Sequence, residues 1–177
     1  MKLTPLPKTF QPTAHSTPPA LSRDSAPIHS HRSAGAKRIL VVDDDPNVRD
    51  SLTDLLIAEG YRVAPAMNGQ QALELADQSQ IDLVLLDLNM PVKNGWDTFE
   101  RLSAEHPLVP IIIITARSNQ LFTALSAGVG ALLEKPMDIP TLLQTMSDLL
   151  AEPARRRLAR LAGRESQFHY RAAPHDG

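Results

Sequence analysis

Cysteine is absent from the 177 residues. That excludes disulfides, thiol catalysis and cysteine-based zinc sites, and it fits a reducing cytoplasm. Long apolar runs are missing too. The opening "MKLTPLPKTFQPT" holds no stretch suited to a signal peptide, and nothing later is long enough to span a bilayer. The expectation is a soluble, cytoplasmic protein with no transmembrane segment. Positive charge is scarce in the middle of the chain. Residues 37–150 carry 8 Lys and Arg against 16 Asp and Glu, residues 1–36 carry 4 against 1, and residues 151–177 carry 6 against 3. An acidic centre between basic tails argues against a nucleic-acid-binding core.

Hydrophobic residues make up 42% of the chain, enough for one well-cored domain with extras. Residues 1–36 are rich in Pro, Ser, Thr and His without a hydrophobic period, and are expected to be disordered. His15, His29 and His31 are spaced too irregularly to suggest a metal site. From Lys37 the pattern changes. Strands are predicted at 38–42, 61–66, 81–88, 109–115 and 131–135. Helices are predicted at 46–60, 68–78, 95–106, 119–128 and 138–150. Pro65 suits an edge strand or a strand end. The fold class is therefore α/β, a doubly wound five-stranded parallel sheet with helices on both faces.

In such sheets ligands gather beyond the carboxyl ends of the strands. Asp43 and Asp44 follow the first strand, Asp87 ends the third, Thr115 the fourth, and Lys135 with Pro136 the fifth. Singly, each has an ordinary reading as a turn, cap or surface residue. Asp45 before Pro46 reads as a helix N-cap. Together, Asp43, Asp44 and Asp87 form an all-oxygen donor set suited to Mg²⁺. Lys135 adds an ammonium and Thr115 a hydroxyl, so a phosphoryl group there has its charge dispersed. Asp87 is the candidate nucleophile, forming an acyl phosphate.

These motifs resemble the receiver domain of two-component response regulators, over about residues 37–150. "VVDDD" resembles the acidic pair, "LLDLNMPVKNG" the phospho-acceptor loop, "IIIITAR" the switch threonine and "LEKP" the lysine-proline. The resemblance implies a flavodoxin-like fold with strand order 2-1-3-4-5. It implies metal ligation by Asp44, by Asp43 through water and by the Asn89 carbonyl. It makes Asp87 the phosphorylated residue, contacted by Thr115 and Lys135. It also implies a histidine kinase or phosphotransfer protein as donor. A downstream protein would read the face made by the fourth helix, fifth strand and fifth helix. The chain departs from the pattern at Leu132, where the family usually carries an aromatic that moves with the threonine. Asn89 and Arg117 resemble the pair that tunes phosphate lifetime, although Arg117 reads equally well as a solvated arginine.

Trp96 reads as an aromatic packed at a helix start, and His106 as a solvated helix end. Residues 151–177 form a basic extension. "PARRRLARLAGR" suits a short amphipathic helix with Leu158 and Leu161 together, and the favoured reading is a solvated, Arg-rich tail. No helix-turn-helix pattern follows Leu150, so no DNA-binding domain is expected. The chain is read as a signalling receiver and not an enzyme. One alternative is a phosphorylation-independent interaction module on the same fold. A phosphatase of the haloacid-dehalogenase kind ranks last, because Asn89 stands where that chemistry wants a second acid.

Overall fold

The structure, a computed structural model, describes residues 35–90, 95–116, 119–164 and 168–173. Nearly all of the basic N-terminal tail, with its three histidines, lies outside these residues. So do residues 91–94 of the acceptor loop, and Arg117.

The strands are β1 (Arg38–Val42), β2 (Arg62–Ala66), β3 (Leu83–Asp87), β4 (Ile111–Thr115), β5 (Ala131–Glu134) and β6 (His169–Arg171). The helices are α1 (Pro46–Ala58), α2 (Gly69–Gln78), α3 (Gly95–Glu105), α4 (Leu121–Ala127), α5 (Ile139–Ala151) and α6 (Ala154–Leu161). All strand pairs are parallel, in the order β2-β1-β3-β4-β5-β6. The expected order 2-1-3-4-5 is present, with one strand more. Pro65 lies in β2, at an edge of the sheet.

Side chains alternate across each strand, so one run of branched residues feeds two cores. Leu40, Val42, Val84, Leu86 and Ile113 face α2, α3 and α4 through Leu73, Phe99, Leu102 and Ala124. Ile39, Val41, Leu85, Ile112 and Leu133 face α1 and α5 through Leu52, Leu56, Leu142 and Met146. Every residue of β3 and β4 is buried, which holds their C-terminal ends in place. Burying a leucine or isoleucine of this kind contributes about 1.5–3 kcal/mol.

Local signals set the helix ends. Asp45 accepts a hydrogen bond from the Asn47 N–H at 2.8 Å, so it is the N-cap of α1, as its place before Pro46 suggests. Gly128 closes α4 with φ +72°, a conformation natural to glycine.

The C-terminal extension departs from expectation. Residues 154–161 form α6, but its buried face carries Arg157 and Arg160, with 9% and 6% of their surface exposed, while Leu158 is exposed. The reason is a carboxylate on the preceding element. Glu152 accepts from Arg160 Nη2 at 2.8 Å, and Arg157 Nε stands 3.7 Å from its Oε2. Arg157 also donates to the Leu149 carbonyl at 3.2 Å. The two guanidinium heads thus share a single carboxylate inside the annex. Beyond α6, β6 joins the sheet, so the favoured solvated tail is instead partly a folded annex. Among the described residues no helix is long and apolar enough to cross a membrane.

Candidate functional site

The ends of β1, β3 and β5 bring together groups distant in sequence. Carboxylate oxygens of Asp43, Asp44 and Asp87 lie within 4.8 Å of one another. Lys135 Nζ donates to Asp87 Oδ2 at 3.0 Å and to Asp43 Oδ2 at 3.2 Å. Asp43 and Asp87 are buried, whereas Asp44 is exposed and Lys135 half-buried. The pole thus has an enclosed floor and an open lip.

Backbone amides fix the two buried carboxylates. The Asp45 N–H donates to Asp43 Oδ1 at 2.9 Å, and the Asn89 N–H donates to Asp87 Oδ1 at 3.0 Å. Each carboxylate therefore has one oxygen held by its own chain and the other by Lys135. The Asn89 side-chain Oδ1 is buried without a hydrogen-bond partner among the described residues. Arg49, a residue the sequence pattern did not single out, donates from Nη1 to the Asp43 carbonyl at 2.9 Å. It lies in the first turn of α1, and nothing in the sequence marked it.

Burial pushes the Asp43 carboxyl above its ordinary range, and Asp87 adds to this, against the pull of the Asp45 amide and Lys135. For Lys135, burial favours loss of the proton. The hydrogen bond and charge of Asp87, and then those of Asp43, outweigh it and hold the ammonium above the ordinary lysine range. Among the described residues, three carboxylates against one ammonium and the Arg49 guanidinium still leave net negative charge in a partly desolvated place.

Thr115 is fully buried at the end of β4. It pairs with Glu134 across the sheet, and its carbonyl accepts the Lys135 N–H at 2.8 Å. The neighbouring pair is Asp87 with Ile114. Asp87, Thr115 and Lys135 therefore sit on three adjacent strands at nearly the same height. The Lys135–Pro136 peptide is cis. Gly95 seats the start of α3 against this pole: a Cβ there would stand 2.6 Å from Leu88 Cα and 2.9 Å from the Asp87 carbonyl oxygen. Trp96 is packed as expected, edge-on to Phe99 with centroids 5.7 Å apart, and it donates to Gln120 Oε1 at 3.0 Å. His106 is less solvated than expected, with its Nε2 3.1 Å from Asp77 Oδ1.

The donor set fits a small hard cation. Among the described residues, carboxylate oxygens converge without a soft ligand between them, and one ammonium leaves negative charge to be met.

Known proteins resemble this chain in sequence and fold. The family model of the response regulator receiver domain matches residues 39–147. The transcriptional regulatory protein CpxR of Escherichia coli K12 is 47% identical over 94 residues, 53% of this chain and 40% of CpxR. The chain thus spans about two fifths of that relative. Protein PilH of Pseudomonas aeruginosa is 38% identical over 118 residues, 64% of this chain and 98% of PilH. A CheY-like receiver domain protein from Methanospirillum hungatei superimposes with TM-score 0.62 at 30% identity, covering 65% of this chain and 94% of that one. TrrA of Thermotoga maritima, solved in complex with Mg²⁺ and BeF, gives 0.60 at 34% identity, covering 64% and 98%. With the family match running from β1 into α5, the chain belongs to the response regulator receiver domain family.

Proposed function

We propose that the chain accepts a phosphoryl group on Asp87 from a histidine kinase or phosphotransfer protein, in the cytoplasm, and passes the signal on by protein contact. The observation that carries this reading is the convergence of three carboxylates at the strand ends, two of which, Asp43 and Asp87, share one lysine.

Asp87 supplies the nucleophile. One of its oxygens attacks phosphorus, the bond from phosphorus to the donor's nitrogen breaks, and the donor imidazole leaves with the electron pair. Asp43, Asp44, Asp87 and the Asn89 carbonyl would hold Mg²⁺, which when bound draws charge from the phosphoryl oxygens. Lys135, already on Asp87, meets the negative charge that builds in the transition state. The Thr115 hydroxyl would donate to a phosphoryl oxygen. The Asp45 and Asn89 amides keep the carboxylates from rotating away.

Incubation of the full chain with acetyl phosphate and Mg²⁺ tests this. The expected result is a mass gain of one phosphoryl group that disappears in Asp87→Asn. No gain, or a gain that survives the substitution, overturns it. A second reading, an interaction module indifferent to phosphorylation, draws support from Leu132. That residue is fully buried at the position where the family's moving aromatic is usual. It predicts equal partner affinity with and without beryllofluoride.

A further inference from the structure

The outer edge of β5 is occupied by the chain's own C-terminus. In β6, His169, Tyr170 and Arg171 pair with Ala131, Leu132 and Leu133. Neighbours in register on parallel strands point to the same face, and both Leu132 and Tyr170 belong to the core shared with α2, α3 and α4. Tyr170 thus places an aromatic ring one strand away from the leucine that replaces the expected aromatic. Unlike that leucine, it also carries a polar tip.

The tip meets Glu134. Tyr170 Oη donates to Glu134 Oε1 at 3.1 Å, and the Ala173 N–H donates to Oε2 at 3.4 Å. The residue holding the C-terminal strand is therefore the immediate neighbour of the residue holding Asp87. On its other side, Glu134 pairs with Thr115, whose carbonyl accepts the Lys135 N–H. Two consecutive residues, Glu134 and Lys135, connect the acidic pole with the covered edge.

The grip of β6 is slight where that of α6 is firm. α6 is fastened by buried ion pairs to Glu152, and its Arg160–Leu161 backbone lies against Gly128, where a Cβ would meet it at 2.9 Å. β6 has three residues, none of them buried, and is held by the sheet ladder, by Glu134 and by the partly buried rings of Phe168 and Tyr170. Short, half-exposed elements open at little free-energy cost.

We propose that the outer edge of β5 is a docking strip for an extended peptide strand, filled at rest by this chain's residues 168–173, and that phosphoryl transfer to Asp87 loosens that filling. The second half rests on the proposed function above. New charge on Asp87 draws Lys135 and the Thr115 hydroxyl toward it. Glu134 is bonded or paired to both, so its carboxylate leaves the position that Tyr170 and Ala173 need. The vacated edge offers a row of backbone donors and acceptors beside Leu132. This suits a partner that adds a strand, with an aromatic or apolar side chain in the place of Tyr170.

The test uses the full chain and a fluorescent peptide copying residues 168–173. At rest the peptide competes with the attached strand and binds weakly. With Mg²⁺ and beryllofluoride its affinity is expected to rise about fivefold or more. Tyr170→Phe keeps the ring and loses the bond to Glu134, so it tightens the peptide at rest and leaves the acetyl-phosphate mass gain intact. Coupling is reciprocal, so the same variant binds beryllofluoride more tightly by a similar factor, which a merely structural tyrosine would not cause. No peptide binding to any form, or equal binding by wild type and Tyr170→Phe at rest, overturns the docking strip. A phosphoryl mass gain with unchanged peptide affinity overturns the coupling alone. No mass gain overturns the proposed function and the coupling together, while the Tyr170→Phe comparison at rest still decides the strip.

Discussion

Among the described residues two places bury charge, and they do it oppositely. At the strand ends, Asp43 and Asp87 share one ammonium, and the group opens to solvent through the adjoining Asp44. In the C-terminal annex, Arg157 and Arg160 share one carboxylate, Glu152, and the Leu149 carbonyl takes up one further donor. The annex is closed: Arg160 and Glu152 show 5% and 9% side-chain exposure. Desolvating a charge is costly in either place. What separates them is whether the residual charge can be reached. Excess negative charge behind an open lip invites a cation and a phosphoryl group. Charge sealed against a helix end fixes a position.

The largest contrast comes from removing each shared group. Lys135→Met takes the only ammonium described at the acidic pole, and phosphoryl uptake from acetyl phosphate is expected to slow about a hundredfold. Glu152→Gln leaves two guanidiniums in a closed place and is expected to cost about 3 kcal/mol in denaturant unfolding, with no change in phosphoryl uptake. If Glu152→Gln slowed uptake as much as Lys135→Met, the two regions would not be independent.

Mg²⁺ sharpens the contrast further. A cation at a hundred times its dissociation constant stabilises the fold by about 2.7 kcal/mol, read as a shift in the unfolding midpoint. Asp44→Asn is expected to remove most of that gain at the same concentration, and Glu152→Gln to leave it whole. The smallest effect lies at a third, exposed ion pair, Lys37 with Asp82 at 2.7 Å. Burial opposes ionisation of Asp82, but the Lys37 hydrogen bond, the Arg38 N–H and the nearby positive charge hold its carboxyl below the ordinary range. Its stabilisation is thus present above the unfolded-chain value and lost as pH falls through the lower folded value. With Lys37 about half exposed, Asp82→Asn is expected to cost under about 1 kcal/mol at neutral pH, and nothing in strong acid.

The same contrast explains what the sequence made legible. The acidic pole could be read because each of its groups follows an apolar run, and parallel strands bring such positions together. Strands β1 to β5 and helices α1 to α5 followed from hydrophobic period, with ends displaced by a few residues where flanking residues continue the pattern outside the ladder. Arg49 was not legible, because its partner is a carbonyl and carbonyls leave no mark in sequence. The annex was misread for a related reason. "RRRLARL" looks like a solvated face unless Glu152 is known to turn back toward it, and the apparent apolar side, Leu158, points outward. Tyr170 lay in a three-residue strand, too short for periodicity to register.

The sheet's two borders bear on how the protein behaves when crowded. Open strand edges recruit foreign strands, and uncontrolled recruitment leads to fibres. One border is blunted permanently, since Pro65 in β2 has no N–H to offer a newcomer. The other is covered by the three residues of β6. If β6 is the guard, solubility becomes a readout of signalling state: the activated molecule is the one with an adhesive border, and only that one.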